Sequence, residues 1–386
     1  MKKWIFIGVL FLGITSFAKA QQTSNKTLAE QVTQLEKKIK WFNVYLNMQG
    51  SFNVFFNDGR EEDAAFQMNQ LRLEVKGNIT DRIYYRYRQR LNRNNNAQAL
   101  DNLPTSIDYA ALGFHVTDKF SILAGKQCTA FGGFEFDLNP IEVYQYCDML
   151  DYMSNFLTGI DFIYQLNPDH QFHFQIVDSR NGSFKEFFGE VPDDIKSTKL
   201  PLGYTINWNG NLFENTLKTR WSASMFQDAK NKSWYYYALG TELNLSKFVG
   251  FFDFQYSQEG IDRTGIISQI TTTDGYNTRA LKTQYMSMIL HLTYQLSPDF
   301  KIWAKGMRET ARVKDANGEL DKGKYRTSWG YMGGIEYYPL QDNNLHIFLN
   351  YIGRSFNYTD KAKEYGVHDS NPQRISLGIV YQLPVF

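Results

Sequence analysis

The sequence of 386 residues has only 2 Cys and 9 Pro, and its net charge is close to zero, with 41 Lys and Arg against 40 Asp and Glu. It also has no long apolar run beyond its first twenty residues, whereas a helical membrane protein needs several runs of about 20 apolar residues. A bundle of membrane-spanning helices is therefore excluded. The balanced charge gives no sign of the basic surface on which nucleic-acid binding depends, so no nucleic-acid partner is expected.

Aromatic residues, in contrast, are abundant. The chain contains 30 Phe, 25 Tyr and 7 Trp, which makes 16% of it aromatic, and its mean hydropathy is −0.44. This composition is far too aromatic for a disordered chain. The protein therefore folds, and any function must come from the local arrangement of its charges.

The first twenty residues have the organisation of a cleavable secretory signal. Lys2 and Lys3 precede an apolar stretch at residues 4–17, and residues 18–20 form an Ala-x-Ala cleavage pattern. The alternative is a single membrane anchor, but the stretch is shorter than the roughly 18 residues that a span needs. We therefore predict a signal peptide over residues 1–20 and export of the mature chain. The sequence has no Cys at position 21 to accept a lipid.

Residues 21–41 are predicted to form a short N-terminal coiled-coil helix. Apolar residues recur at spacings of four, three, four and three, at Leu28, Val32, Leu35, Ile39 and Phe42. This is the heptad pattern of a coiled coil, although two heptads are marginal on their own. An ordinary amphipathic helix that packs against another part of the protein is therefore an equal alternative to self-association.

Residues from Asn43 onward alternate apolar and polar side chains with a period of two, which indicates strands with one solvated face. In residues 171–176, for example, Gln, His and Gln alternate with Phe, Phe and Ile. Sixteen such segments follow one another to the C-terminus, and an even number is typical of a closed outer-membrane barrel. We therefore predict that residues 42–386 form an all-β fold, a 16-stranded antiparallel transmembrane β-barrel.

The links between these segments alternate between short and long, as in outer-membrane barrels, which have short periplasmic turns and long outer loops. Short links are predicted at residues 79–81, 117–119, 167–170, 209–215, 246–247, 297–299 and 340–344. Longer loops are predicted at residues 57–65, 92–105, 127–156, 178–199, 227–233, 258–280, 313–324 and 358–372. The third loop, 127–156, is long and rich in aromatic and acidic residues, and we expect it to fold into the lumen.

Basic residues on the polar faces of the strands are the candidate pathway for solutes. Arg86, Arg88 and Arg90 share one face of one predicted strand, at intervals of about 6.6 Å. Further pore-lining candidates are Arg72, Lys76, Lys126, Lys218, Arg220, Lys301, Lys305 and Arg374. Acidic residues also fall on inward faces, namely Glu74, Glu242, Asp253 and Glu336. The alternative is therefore a set of salt bridges that brace the barrel wall.

The two cysteines, Cys128 and Cys147, both lie in the third loop of an exported chain. A disulfide between them is chemically permitted and would restrict the loop. The alternative is two free thiols. Neither thiol is expected to be catalytic, because no His or basic residue adjoins it in the sequence.

Residues around the start of the third loop carry a family resemblance. Gly125, Lys126 and Gln127, followed by Phe-Gly-Gly-Phe-Glu at residues 131–135, are similar to the stretch with which the phosphate-selective porin O and P family enters its third loop. The basic segment 82–90 resembles the third strand of that family, and Phe386 is the aromatic end shared by most bacterial outer-membrane barrels. The resemblance spans nearly all of residues 28–386. It implies an outer-membrane porin that forms a homotrimer.

These observations favour a porin of the bacterial outer membrane that contacts lipid and lipopolysaccharide. Small hydrophilic solutes would diffuse through it passively, with a preference for anions such as phosphate. Two other classes remain open: an adhesin or partner-binding barrel with long surface loops, and an outer-membrane hydrolase. Catalysis is not expected, because the six His residues are scattered and neither Gly-x-Ser-x-Gly nor His-Glu-x-x-His occurs. No metal site and no cofactor is expected.

Overall fold

The structure, a computed structural model, describes residues 41–272, 279–316, 320–340 and 344–385. The predicted signal peptide at residues 1–20 and the terminal Phe386 lie outside the described residues. The predicted N-terminal helix at residues 21–41 lies outside them as well, apart from Trp41. Within the described ranges the chain is mostly β-strand.

Sixteen antiparallel strands close into one barrel in the described part of the chain. Each strand pairs with its neighbours in sequence, and the first strand pairs with the last to close the cylinder. This confirms the predicted 16-stranded antiparallel β-barrel. The strands are β1 (Asn43–Asn57), β2 (Arg60–Asn78), β3 (Ile83–Arg90), β4 (Ile107–His115), β5 (Phe120–Cys128), β6 (Phe156–Asn167), β7 (His170–Asp178), β8 (Leu202–Leu212), β9 (Leu217–Ala229), β10 (Lys232–Leu245), β11 (Phe248–Ile261), β12 (Leu281–Gln295), β13 (Phe300–Val313), β14 (Gly323–Leu340), β15 (Leu345–Tyr358) and β16 (Pro372–Pro384).

Along strands such as β7, apolar side chains face outward and polar side chains face the lumen. On β7, Phe172 and Phe174 are exposed, whereas Gln171, His173 and Gln175 are buried. This arrangement reverses that of a soluble protein and suits a surrounding hydrocarbon phase, in which a basic residue on the lipid face costs about 2–4 kcal/mol at mid-depth. Closure of the sheet is also required there, because an open edge would leave backbone groups unpaired in hydrocarbon.

The turns follow the prediction at seven places and differ from it at two. A short link lies at each of the seven predicted positions. The predicted loops at 57–65 and 227–233 are wrong, because the strands continue to two-residue turns, at residues 58–59 and 230–231. Asp58 and Gly59 both have positive φ angles, 49° and 77°, as in the hairpin turns whose twist matches that of the flanking strands. The β1–β2 hairpin therefore extends beyond β3, which pairs with β2 only from Arg72 onward.

Five short helices and one 3₁₀ turn lie in the described loops. The third loop, named loop 3 here (residues 129–155), contains α1 (Phe134–Asp137), the 3₁₀ turn (Pro140–Glu142) and α2 (Asp148–Tyr152). The other helices are α3 (Phe184–Phe188), α4 (Ile266–Thr272) and α5 (Asp360–Lys363). None of these described helices is long and apolar enough to cross a membrane.

Candidate functional site

Loop 3 is fixed to the lumen wall where two glycines turn its backbone. Gly132 and Gly133 have φ angles of +70° and +87°, which glycine adopts without steric cost. A Cβ atom on Gly133 would also lie 3.2 Å from the side chain of Asp253 on β11. That carboxylate accepts hydrogen bonds from the backbone N–H groups of Phe134 and Glu135, at 2.9 and 2.8 Å. The start of α1 is therefore attached directly to the barrel.

An aromatic cluster packs the first part of loop 3 against strands β9 and β10. The centre of the fully buried Phe131 ring lies 5.6, 5.4 and 5.4 Å from the ring centres of Phe226, Trp234 and Tyr236. Aromatic pairs at such distances contribute about 0.5–1.5 kcal/mol each beyond the burial of their area. This side of the lumen is thus filled by packed rings.

Two acidic side chains of α1 bind basic side chains of the wall. The Glu135 carboxylate pairs with Lys305 on β13, and it also accepts the backbone N–H of Cys147 at 3.1 Å. The Asp137 carboxylate pairs with Arg220 on β9 at 3.0 Å. Breaking a buried pair leaves an uncompensated charge at a cost of about 3–5 kcal/mol. These pairs therefore hold α1 between two separate parts of the wall, β9 and β13.

Asp148, the first residue of α2, is the centre of a buried ion network. Its carboxylate binds Arg326 on β14 and Arg354 on β15, the latter at 2.8 Å, and accepts the Ser328 hydroxyl at 3.1 Å. Glu309 on β13 accepts the backbone N–H of Asp148 at 2.6 Å and pairs with Arg354 at 2.7 Å. Burial alone would raise the pKa of Asp148, but the two guanidinium groups outweigh burial and lower it. The carboxylate is therefore charged at neutral pH.

Tyr144 and the 3₁₀ turn attach the middle of loop 3 to a further part of the wall. The Tyr144 hydroxyl donates to Glu336 on β14 at 2.9 Å, and the Tyr144 carbonyl accepts from Arg374 on β16 at 2.8 Å. Gln49 on β1 donates to the Ile141 carbonyl at 2.9 Å. Loop 3 thus crosses the lumen, with contacts to β9 and β11 on one side and to β13–β16 and β1 on the other.

A cavity of about 200 Å³ lies between loop 3 and strands β1, β2, β15 and β16. It is lined by Gln49, Ser51, Asn69, Gln70, Val143, Tyr144, Gln145, Tyr146, Asp151, Phe348, Asn350, Arg374 and Ser376. Most of these side chains are neutral and polar. Among them, Asp151 and Arg374 carry charge, so the cavity has one group of each sign.

Asp151 gives this cavity a charge that depends on pH. Its side chain is exposed to the lumen, but the enclosing protein desolvates it and the neighbouring Asp148 repels its negative form, which raises the pKa of Asp151 to about 6. Gln145 donates to its carboxylate at 3.0 Å and opposes this shift only in part. Asp151 is therefore neutral below about pH 6 and negative above it.

The family model described as phosphate-selective porin O and P matches residues 42–383, which include loop 3 and the barrel apart from Pro384 at the end of β16. The chain belongs to this porin family. The porin is therefore a channel of the outer membrane, as the sequence resemblance predicted. Among curated proteins, none matches the chain.

Solved structures of other barrels share the fold of this porin. The outer-membrane channel DcaP of Acinetobacter baumannii is 13% identical, with a TM-score of 0.61 over 90% of this chain and 99% of that chain. An anion-selective porin from Comamonas acidovorans is 9% identical, with a TM-score of 0.57 over 89% and 99% of the two chains. A trimer form of OmpT from Vibrio cholerae is 11% identical, with a TM-score of 0.56 over 89% and 100%. At these identities the likeness concerns the fold alone.

In this porin, three of the basic residues predicted to line the pathway converge on one carboxylate. Arg72, Arg88 and Arg90 bind Asp108, at 2.9, 3.0 and 3.0 Å. Three positive charges around one negative charge leave an excess of two, and we call this group the Asp108 cluster. Arg72 also donates to Gln70 at 3.1 Å. Because Gln70 lines the cavity, the Asp108 cluster adjoins it.

The remaining predicted basic residues also have partners. Ion pairs join Arg86 to Glu74, Lys126 to Asp101, Lys218 to Glu242, Arg220 to Asp137, Lys301 to Glu336 and Lys305 to Glu135. The Lys76 ammonium lies 4.9 Å from the centre of the Tyr45 ring, and Arg374 donates to a loop carbonyl. Most of these contacts correspond to the alternative interpretation, in which salt bridges brace the wall. Arg374 is the one predicted basic residue among the residues that line the cavity.

The disulfide that the sequence permits between Cys128 and Cys147 is not formed, and both cysteines are free, as in the alternative interpretation. Cys128 ends β5, where it pairs with Phe156 of β6. Cys147 precedes α2, and its thiol donates to the side chain of Gln255 at 3.4 Å. The two thiols thus contact different parts of the barrel. Burial raises the pKa of Cys147 well above its usual value, so this thiol stays protonated.

Sequence reasoning missed several residues of the loop attachment, above all Asp148, Arg326 and Arg354. The alternation of apolar and polar residues along β14 and β15 would have predicted that Arg326 and Arg354 face the lumen, as it did for Glu336. Asp148 offers no such signal, because it lies in a loop and its partners are 178 and 206 residues away in the sequence. Only the closed barrel brings these residues together.

Proposed function

We propose that small hydrophilic solutes diffuse passively through the cavity beside loop 3, with a preference for anions such as phosphate. The observation that carries this proposal is the positive charge around the cavity. Arg374 lines the cavity, and the Asp108 cluster adjoins it with an excess of two positive charges. Fixed charges of one sign along a pore concentrate ions of the opposite sign.

The names of related proteins support the same preference. The family description includes selectivity for phosphate, and one similar structure is an anion-selective porin. Above the pKa of Asp151, the negative charge of its carboxylate opposes this preference. The arginines of the Asp108 cluster are paired, so they attract anions through the excess charge of the cluster and not as free guanidinium groups. The proposal is therefore a moderate preference for anions, without a dedicated phosphate site.

Changing Arg374 to Gln is expected to weaken the anion preference of the purified porin in a planar bilayer under a salt gradient. A unit charge about 5 Å from an ion in water contributes about 0.8 kcal/mol, which corresponds to about a fourfold change in local ion concentration. The reversal potential measures this ratio directly, and it should be recorded in chloride and again with phosphate. Lys247→Gln, at an exposed turn between β10 and β11, is the matched control.

The outcomes of this experiment separate the possible functions. A steady conductance that favours anions, and favours them less after Arg374→Gln than after Lys247→Gln, supports the proposal. Equal passage of anions and cations by the unchanged protein contradicts the preference. An absence of conductance contradicts the channel itself and favours the adhesin or partner-binding alternative.

Lowering the pH should strengthen the anion preference. Because the pKa of Asp151 is raised to about 6, its carboxylate is negative at about pH 8 and neutral at about pH 5. Acidification therefore removes the one negative charge among the residues that line the cavity. Reversal potentials recorded across this range should shift with a midpoint near pH 6. The shift should be absent in Asp151→Asn and unchanged in Asp360→Asn, which alters an exposed carboxylate of α5.

We also propose that the porin is a homotrimer in contact with outer-membrane lipid and lipopolysaccharide. A trimer form of the similar OmpT barrel supports the oligomer. The outward apolar side chains, such as Phe172 and Phe174, support contact with lipid. Light scattering of the detergent-solubilised protein should give the mass of three chains, and the mass of one chain would contradict the trimer.

A further inference from the structure

The cavity beside loop 3 has a lining that charge selection alone does not explain. Besides two tyrosines, seven of its lining residues carry neutral amide or hydroxyl groups: Gln49, Ser51, Asn69, Gln70, Gln145, Asn350 and Ser376. Each amide offers both hydrogen-bond donors and acceptors, and each hydroxyl does the same with one oxygen. This mixture matches a ligand that presents several alcohol groups, each of which donates one hydrogen bond and accepts others.

Two of these polar side chains are buried without a hydrogen-bond partner among the described residues. Asn350 is 2% exposed and Ser376 is 3% exposed, and they lie opposite each other on β15 and β16. Both polar atoms of the Asn350 amide and the Ser376 hydroxyl lack a partner in the described part of the chain. A buried polar group that stays unsatisfied carries a penalty, so a ligand that supplies the missing partners is bound more tightly than one that does not.

The cavity also contains an aromatic side and a basic group. Tyr144, Tyr146 and Phe348 are among the lining residues, and the C–H face of a sugar ring is apolar enough to pack against such rings. The Arg374 guanidinium uses one terminal nitrogen for the Tyr144 carbonyl, while its Nε has no hydrogen-bond partner in the described structure. A guanidinium binds carboxylate and phosphate groups through parallel hydrogen bonds.

The size of the cavity limits what it holds. Its volume of about 200 Å³ equals that of about six or seven water molecules at about 30 Å³ each. This is below the range of about 300–1,000 Å³ found for pockets that take drug-sized ligands. One sugar ring is compatible with this volume.

We infer that the cavity beside loop 3 is a recognition site for a monosaccharide that carries one anionic group. The anionic group binds Arg374, the hydroxyl groups bind Asn350, Ser376 and the neighbouring amides, and the ring packs against the tyrosines. This inference rests on the proposed function, since the same cavity serves as the solute pathway. The anionic group is a carboxylate, as in a hexuronate, or a phosphate ester, and the shared chemistry is a single charge on a polyhydroxylated ring.

Interruption of the ionic current by added solutes tests the inference. Glucuronate and glucose 6-phosphate combine charge with hydroxyl groups, glucose has only the hydroxyl groups, and propionate and inorganic phosphate have only the charge. We expect half-maximal block by at least one charged sugar at a concentration about tenfold or more below those for the three simpler probes, as a difference of two or three hydrogen bonds implies. Comparison of glucuronate with glucose 6-phosphate then identifies the anionic group.

Variants of the cavity should separate the two kinds of contact. Asn350→Leu and Ser376→Ala should weaken block by the charged sugar about tenfold and leave block by propionate unchanged. Arg374→Gln should weaken block by both. Asn357→Leu, at an exposed position of β15 outside the cavity, is the matched control. Ser376→Ala removes a single oxygen, so the test does not depend on whether Asn350→Leu folds.

The outcomes distinguish failure of this inference from failure of the proposed function. A steady, anion-preferring conductance that charged sugars block no better than propionate or glucose overturns the sugar site and leaves the channel intact. If the protein does not conduct, the proposed function fails, and calorimetric titration of the folded protein in detergent with glucuronate and glucose 6-phosphate decides the site. Heat of binding that is lost in Ser376→Ala supports it, and no heat of binding for either charged sugar overturns it.

Discussion

Replacing residues 133–152 with a short Gly-Ser linker should raise the single-channel conductance several-fold and shift the selectivity strongly toward anions. The replaced segment crosses the lumen from the β11 wall to the β16 wall, and a sixteen-stranded barrel without such a segment encloses a wider aqueous channel. The segment contains five acidic residues and no Lys or Arg, the acids being Glu135, Asp137, Glu142, Asp148 and Asp151. Their removal leaves the basic partners on the wall unneutralised.

Single-channel recordings and reversal potentials measure both effects. The same linker in place of residues 92–99, an exposed part of the loop between β3 and β4, controls for the replacement of a loop as such. That control should keep the conductance and selectivity of the unchanged protein. If the loop 3 variant also kept the original conductance, the narrowest part of the pathway would lie somewhere other than beside loop 3.

Changing Asp148 to Ala should release α2 from the wall. The change leaves Arg326 without its carboxylate partner and leaves Arg354 with Glu309 alone. Removal of one partner from a buried ion pair costs about 3–5 kcal/mol, which is enough to undock a loop whose remaining contacts are distributed along its length. We expect a noisy current with transient openings to larger conductance, and faster cleavage by chymotrypsin within residues 131–152.

Two further variants serve as comparisons for Asp148→Ala, one at the same residue and one at an exposed position. Asp148→Asn removes the charge but keeps an oxygen that accepts the Ser328 hydroxyl, so its effect should be intermediate. Asp360→Ala, at an exposed position of α5, should behave like the unchanged protein. A quiet current and unchanged protection from chymotrypsin in Asp148→Ala would mean that the other contacts of loop 3, such as the packing of Phe131 and the ion pairs of Glu135 and Asp137, hold the loop without Asp148.

Much of the barrel could be predicted because its strands have one lipid face and one polar face. The alternation at residues 171–176 is the direct result of this environment, and it appears in the sequence without any knowledge of the neighbouring strands. The predicted loop at residues 57–65, where the structure has a two-residue turn at Asp58–Gly59, is wrong for a local reason. Polar residues after the turn suggested a loop, but Asp-Gly is a hairpin signal and the strands simply continue through the polar segment.

The candidate site was less predictable because its contacts join distant parts of the chain. Alternation correctly oriented Arg86 and Arg88 toward the lumen, where both are buried, but it could not show that Glu74 and Asp108 neutralise much of their charge. The partners of Arg88 and Arg354 depend on the register of strands and on the path of loop 3. Residue type and spacing identified candidates for the lining, and only the closed sheet showed that Arg374 is the basic residue at the cavity.

The attachment of loop 3 also orders the events of assembly. The loop leaves the barrel after β5, yet it is held by Lys305, Arg326, Arg354 and Arg374, which follow its contacting residues by 170 to 230 positions. Contacts between such distant residues form late, because the entropy of closing the intervening chain must be overcome first. The loop can dock only after the C-terminal strands have joined the sheet. The final width of the lumen is therefore set only after nearly the whole chain has entered the sheet.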